Sequence, residues 1–236
     1  MGSVVMAYLN LVGLLGGVNS FFDLYTGGAK RPVLFRAEEV RPELCELDRH
    51  AGEIRAELVN LLREKASIPR YHDLDAMQTG ISARVNPDKD WKIFYLYAIG
   101  EKPATNRAKC PVTASILDKV PGLFQAFFSI LEGGKAIPAH CGPYRGYLRY
   151  HLALVVPKEN PPSIRVKDHV HTWREGESFM FDDSWNHEVY NEATEDRVVL
   201  IVDIRRPMPL PFHLANRFVE LVMRQVYGKQ ILKKLT

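Results

Sequence analysis

Two hydrophobic periods divide the chain. Between Arg41 and Ser67, in RPELCELDRHAGEIRAELVNLLREKAS, Leu44, Leu47, Ala51, Ile54, Leu58, Leu61 and Leu62 recur at the three- and four-residue spacing of an amphipathic helix. Pro42 sits in its first turn, where a missing N–H is tolerated, and Pro69 marks its other end. From Trp91 onward the texture becomes aromatic and β-branched. WKIFYLYAIG, LFQAFFSIL, GYLRYHLALVV, SIRV, HVHTW, ESFMF, HEVYN and RVVLIVDI read as strands, and PVTASILDKV as a short helix among them. Gly133–Gly134, Pro161–Pro162, Gly176 and Asn191–Glu192 punctuate these runs. Short strands with turns roughly every 8–12 residues predict a sandwich or barrel, and the lack of strand–helix alternation excludes a Rossmann-type sheet. After Pro211 the helical period returns. Ala215, Phe218, Val219, Val222, Met223 and Val226 make one stripe, and Arg217, Arg224, Lys229, Lys233 and Lys234 supply charge. Such a basic amphipathic helix either packs on the β core or lies on an anionic membrane surface.

The pattern yields three segments: an apolar N-terminus and helical flank over 1–90, a β core over 91–207, and a basic helix over 208–236. The first 22 residues carry no charged side chain and no basic leader region. Val4 to Phe22 approaches the ~20 residues of a bilayer span. Asn10, Asn19 and three glycines weaken it as a span, so it is read as a core element or a membrane-docking segment. With 236 residues, 46% of them hydrophobic and 25% charged, the chain supports one sizeable core and is not broadly disordered. A net charge of +3 without a dense basic cluster in the core speaks against nucleic-acid binding. Cys45, Cys110 and Cys141 are far apart and form no CxxC pair, which excludes a zinc ribbon and a disulfide framework and fits a reduced, cytoplasmic setting.

The candidate chemistry follows from strand alternation. In GYLRYHLALVV, Tyr147, Arg149, His151, Ala153 and Val155 share one face, and Leu148, Tyr150, Leu152, Leu154 and Val156 the other. Apolar residues on both faces mean cover on both, which places Arg149 and His151 in a barrel interior or at its mouth. Arg197 opens the almost wholly apolar RVVLIVDI. A buried arginine needs an anion. Arg149, His151 and Arg197 therefore form either a cationic pocket for a small dicarboxylate or a set of salt bridges to Asp182, Asp183 or Asp203. Three histidine groupings compete as metal ligands: His140 before a Gly-Pro turn, His187 in FDDSWNHEVYN, and the HxH pair His169 and His171, which is read as exposed.

The combination HCGP, LRYHLALVVP, W-EGE, FDDSWNHEV-N and R-VLIVDI-RP resembles the aspartyl/asparaginyl β-hydroxylase family over about Trp91 to Pro207. CPVTASILDKVPG and AFFSILEGG resemble that family's lead-in. The resemblance implies a double-stranded β-helix (a jelly roll of the cupin kind) flanked by N- and C-terminal helices. It implies a dioxygenase that uses Fe(II), 2-oxoglutarate and O2 to insert oxygen into an unactivated C–H bond. By this resemblance His140 and His187 match the two metal ligands, while Arg149, His151, Arg197 and Ser129 match contacts to 2-oxoglutarate. Asp183 matches an acid beside the iron-bound water. Gly142 stands where a carboxylate ligand commonly does in other iron oxygenases; the resemblance implies its absence, since the family also lacks that carboxylate. Peptide hydroxylases of the family are expected to carry an arginine at the position of Tyr147, to meet an acidic substrate side chain. GYLRYHLAL and RRPMP…ANRFVE look more like the bacterial lipid A hydroxylases. The expectation is a lipid acyl or amino-acid-containing lipid substrate, with peripheral contact to the inner face of a membrane. A peptide or amino-acid side chain, and a non-enzymatic cupin-like binding protein using His169 and His171, stay open as alternatives.

Overall fold

A computed structural model of the protein describes residues 15–75 and 78–235. Ten strands carry the core: β1 (Leu34–Phe35), β2 (Trp91–Ala98), β3 (Leu123–Leu131), β4 (Ile137–His140), β5 (Tyr147–Val155), β6 (Ser163–Val166), β7 (His169–Thr172), β8 (Ser178–Phe181), β9 (His187–Tyr190) and β10 (Arg197–Arg205). They form two sheets, a major one in the order β1-β8-β5-β10-β3-β2 and a minor one in the order β4-β9-β6-β7. Every pairing is antiparallel. From β3 to β10 the eight strands are dealt between the sheets as in a jelly roll, which is the expected double-stranded β-helix.

The alternation expected for β5 holds as far as Leu154; an irregularity in the pairing with β10 then reverses it, so Val155 packs with the outer core and Val156 with the inner one, against the expectation. Leu148, Tyr150, Leu152 and Leu154 point outward into a core that also takes Ile54, Leu58 and Leu61. Ala153 points the other way, into the space between the sheets, with Val199, Ile201, Ile164 and Val189. Both faces of the major sheet are thus covered, which is why β5 and β10 read as nearly continuous apolar runs.

Helices flank the strands. They are α1 (residues 15–26), α2 (Ala37–Val40), α3 (Cys45–Arg49), α4 (Ala51–Leu62), α5 (Tyr71–Leu74), α6 (Thr79–Ser82), α7 (Ala104–Lys109), α8 (Pro111–Leu117), α9 (Phe212–Met223) and α10 (Lys229–Leu235), the last two joined by a π-helical turn, Arg224–Gly228. α2, α3, α4 and α8 pack on the outer face of the major sheet, and α5, α6 and α10 against the inner cluster. The single helix expected over Arg41–Ser67 is broken. It comprises a 3-10 turn (Pro42–Leu44), α3 and α4, with His50 at φ −102°, ψ 17° between the last two. The apolar spacing survives the break because Leu44, Leu47, Ile54, Leu58 and Leu61 are all buried in one cluster.

Residues 4–14 of the apolar N-terminal stretch lie outside the described residues. The rest belongs to α1, whose Leu15 and Phe22 pack with Ile99, Phe124, Tyr144, Val219 and Met223. Among the described residues no helix is long and apolar enough to cross a membrane. The C-terminal segment runs close beside β2. A Cβ on Gly228 would stand 2.7 Å from the carbonyl oxygen of Ile99 and 2.9 Å from that of Ala98, so only glycine permits this approach.

Candidate active site

β4 and β9 are neighbours in the minor sheet, and their register sets His140 opposite His187. The ring centroids are 4.1 Å apart. His140 Nδ1 lies 2.8 Å from the Pro138 carbonyl oxygen, and His187 Nδ1 lies 2.9 Å from that of Trp185. A carbonyl only accepts, so each Nδ1 carries the hydrogen and each Nε2 keeps its lone pair. That is the tautomer a metal-ligating imidazole adopts. Burial, reinforced by His187, lowers the His140 pKa to about 4, which keeps the ring neutral at physiological pH.

Asp183 reaches the same place from the β8–β9 connection. Its Oδ1 is 3.4 Å from His187 Nε2 and accepts from Arg149 Nη1 at 2.5 Å. Its Oδ2 accepts from the Tyr147 hydroxyl. Burial alone would raise its pKa, but Arg149 and His187 outweigh that and hold it below the usual carboxylate range. Gly142 explains how this carboxylate fits. A Cβ at position 142 would overlap Asp183 Oδ2 and come within 2.7 Å of the Tyr147 hydroxyl. The space beside the histidines is filled by a carboxylate from the β8–β9 connection rather than from the H-x-D position. Among the described residues no group of three or more His, Cys, Asp or Glu is arranged to hold a metal. The donors fit a two-histidine centre with an acid beside it. We expect Gly142→Ala to displace Asp183 and to cost about 1–3 kcal/mol in stability. Thermal unfolding together with iron titration checks this; an unchanged melting point and iron affinity would show that the space is slack.

Inward-facing residues of the major sheet grade from one end of the barrel to the other. Arg197 lies at the deep end and Asp203, six residues along β10, lies opposite Arg149 at the other. A cavity of about 30 Å³ occupies the deep end, lined by His140, His187, Ser129, His151, Trp173 and Arg197, among others. Arg197 is 1% exposed, and its Nε has no hydrogen-bond partner. Among the described residues no carboxylate pairs with it, and the Trp173 ring, 4.6 Å from its guanidinium carbon, is its electrostatic neighbour. Burial lowers its pKa to about 9. Both ring nitrogens of His151 are likewise buried without a hydrogen-bond partner. Burial, with Arg149 and Arg197 adding to it, keeps that ring neutral, well below the usual histidine range. Ser129 Oγ accepts from Trp91 Nε1 at 2.9 Å, which leaves the hydroxyl hydrogen free to donate.

Arg149 is differently placed. Its Nε and Nη2 each donate to Asp203 at 2.8 Å, and Nη1 donates to Asp183. Burial lowers its pKa, but these two carboxylates more than compensate and hold it well above the ordinary value. Of the two open readings for the buried arginines, internal salt bridges describe Arg149, whereas Arg197 has no carboxylate partner among the described residues and could receive an anion. His169 and His171 are not brought to this centre. They lie on β7, separated from β9 by β6, with His169 exposed and His171 stacked on Phe179 at 4.0 Å.

A groove of about 300 Å³ opens beyond the histidines. Tyr71, Phe124, Phe127, Met223, Tyr227 and Ile231 are among its walls, and His140 and Arg149 are shared with the small cavity. Tyr147 is stacked on Phe124, with ring centroids 5.4 Å apart and planes 8° apart. Sequence reasoning gave no role to Trp91 or Trp173. Trp91 carried a signal, since it shares the inward face of β2 with Ile93 and Tyr95; for Trp173 the signal was its place in the W-EGE motif.

Fold and site together define a jelly-roll protein with a metal-competent histidine pair between a buried anion-receptive cavity and an apolar groove. Residues 48–207 match the Aspartyl/Asparaginyl beta-hydroxylase family, and the chain belongs to that family of hydroxylases. It is 40% identical over 176 residues to the ornithine lipid ester-linked acyl 2-hydroxylase of Rhizobium tropici, covering 74% of this chain and 61% of that protein. It is 36% identical over 127 residues to the human aspartyl/asparaginyl beta-hydroxylase, covering 52% of this chain and 17% of that protein. The chain thus spans less than two thirds of either relative. A prolyl-4-hydroxylase structure from Pseudomonas putida overlays 67% of this chain and 88% of its own, at 16% identity and a TM-score of 0.42.

Proposed function

We propose that the protein is an Fe(II)- and 2-oxoglutarate-dependent hydroxylase acting on the acyl chain of an amino-acid-containing lipid. The observation that carries the cofactor reading is Arg197. A guanidinium buried without a carboxylate is too costly to keep unless a ligand supplies the anion. The cavity in front of it ends at His140 and His187, so a short dicarboxylate held by Arg197 directs its other end at the pair.

In this reading His140 and His187 hold Fe(II) through Nε2. Arg197 and Ser129 take the distal carboxylate of 2-oxoglutarate, the arginine as a planar fork and the serine as a single donor. His151 supplies a neutral ring against the co-substrate, and Trp91 and Trp173 close the cavity to water. Asp183 accepts hydrogen bonds beside the histidines, and Arg149 and Tyr147 hold its carboxylate in place. When bound, iron and 2-oxoglutarate with O2 convert a C–H bond to C–OH while 2-oxoglutarate becomes succinate and CO2. The protein's own task is to position the substrate carbon and keep the site dry.

The groove supports a lipid acyl substrate. Among its described lining residues Arg149 is the one arginine or lysine, and Asp183 and Asp203 occupy it. Tyr147 donates to Asp183, so no free cation meets an acidic side chain there. The 40% identity to an ornithine lipid acyl hydroxylase agrees with this. The similarity to the human protein favours, as the second reading, β-hydroxylation of a peptide side chain. An aerobic assay with Fe(II) and 2-oxoglutarate, offered lipid extract or peptide, separates the two. The expected result is succinate and a lipid heavier by one oxygen atom. Oxygen gained by peptide alone would replace the substrate assignment, and no succinate in either arm would reject the chemistry.

A further inference from the structure

α9 is apolar on two opposite sides, which departs from the single stripe its sequence predicts. Asn216, Val219 and Met223 are buried against the core, with Ala215 and Val222 half-buried beside them. Phe218, expected in that buried stripe, points to solvent together with Leu214 and Leu221. These three recur at i, i+4 and i+7 and are 61%, 60% and 55% exposed for Leu214, Phe218 and Leu221. The row does not stand alone. Phe212 packs on Phe21 at 4.6 Å and on Tyr25 at 5.6 Å, joining α9 to α1. Leu24 and Tyr25 at the end of α1, and Leu210 just before α9, are exposed as well. Exposed apolar side chains along one side of α9 and at the end of the neighbouring α1 mark an interaction surface.

Two further observations say what covers it. The first is charge. The acidic groups of α1 and α9 are already neutralised within the protein, Asp23 by Arg145 and Glu220 by Arg205, and Glu101 after β2 pairs with Arg224. Among the described residues no carboxylate pairs with Lys30, Arg217 or Lys229, all exposed on or beside α1, α9 and α10. The face is therefore apolar with a basic rim. The second is position. The buried sides of the same elements are walls of the large groove: Leu15 from α1, Met223 from α9, Ile231 from α10. The elements that carry the exposed row therefore also wall the groove.

We infer that this face of α1 and α9 docks the protein on an anionic lipid bilayer, with Leu24, Leu214, Phe218 and Leu221 entering the interfacial layer and Arg217, Lys30 and Lys229 meeting lipid phosphates. The helices that meet the bilayer would then also wall the groove proposed for the acyl chain. The inference rests on the lipid-substrate reading, and its test does not depend on turnover.

The test is co-sedimentation of the full chain with vesicles of phosphatidylethanolamine containing a minority of phosphatidylglycerol. Wild type is expected to pellet with them, and less so in high salt, which screens the basic rim. Leu214→Ser with Phe218→Ser should weaken the partition about tenfold or more, with an unchanged melting point because both side chains are exposed. The same variant should keep 2-oxoglutarate turnover on a short, water-soluble acyl substrate and lose it on vesicle-borne lipid. Vesicle binding equal to wild type in the variant would overturn the inference. So would a wild-type dimer that the double substitution splits, since the face would then meet a second copy of the chain. Salt-sensitive binding without any lipid product would leave the docking surface standing and reject the substrate reading instead.

Discussion

Replacing Arg197 with leucine should raise the melting temperature of the ligand-free protein and, on the proposed function, weaken binding of 2-oxoglutarate in the same step. The guanidinium is 1% exposed, Nε has no partner, and burial has pulled its pKa to about 9. Exchanging an uncompensated buried charge for a hydrophobic residue of similar bulk stabilises by about 1–4 kcal/mol. In a chain of this size each kcal/mol moves the melting point by roughly 2–4 °C. Binding must move the other way. A charge-assisted hydrogen bond is worth about 1.5–3 kcal/mol, so losing a two-pronged contact should raise the 2-oxoglutarate KM by roughly a hundredfold to ten-thousandfold. Arg197→Lys keeps a charge but not the fork, and should lose about tenfold. Differential scanning fluorimetry and initial rates against 2-oxoglutarate concentration check both halves. A leucine variant that melts below wild type, with its KM unchanged, would mean that the arginine is a structural residue satisfied by water.

The second large effect belongs to the histidine pair. His140→Ala and His187→Ala should each abolish iron-dependent succinate formation, by about a thousandfold or more, and the double variant should be no worse than either single one, because ligands of one centre act as a unit. Iron titration by isothermal calorimetry supplies a readout that does not depend on activity. His169→Ala and His171→Ala are the controls. They sit on β7 beyond β6, so iron binding and turnover should stay within about twofold of wild type. Loss of iron in these variants, with retention in His140→Ala, would move the metal to the HxH pair and make the protein a cupin-like binder.

The strands were legible because each inward residue announces itself by alternation. Arg149 and His151 fall on one face of β5 whatever their partners, and Leu148 and Tyr150 fall on the other. The helical flank was legible in its apolar spacing but not in its break at His50, where the chain turns between α3 and α4 while keeping one buried side. The two faces of α9 were not separable either. Val219 and Phe218 are adjacent and equally apolar, and only the direction of packing against Ile99 and Tyr144 decides which is buried.

The sequence by itself determined that the core is built of short strands between two helical flanks, and that cationic and imidazole side chains point into it. It also determined the family, through HCGP, RYH and NHE taken together. The tertiary structure decided what those side chains do. Arg149 finds Asp183 34 positions away and Asp203 54 positions away, while Arg197 finds no carboxylate among the described residues. Gly142 proves to be the gap that admits Asp183 rather than an empty ligand position. His140 faces His187 because β4 and β9 pair in that register. Periodicity reports which way a side chain points; which charge it meets there depends on strand register across the sheets, and that is set by packing of the whole core.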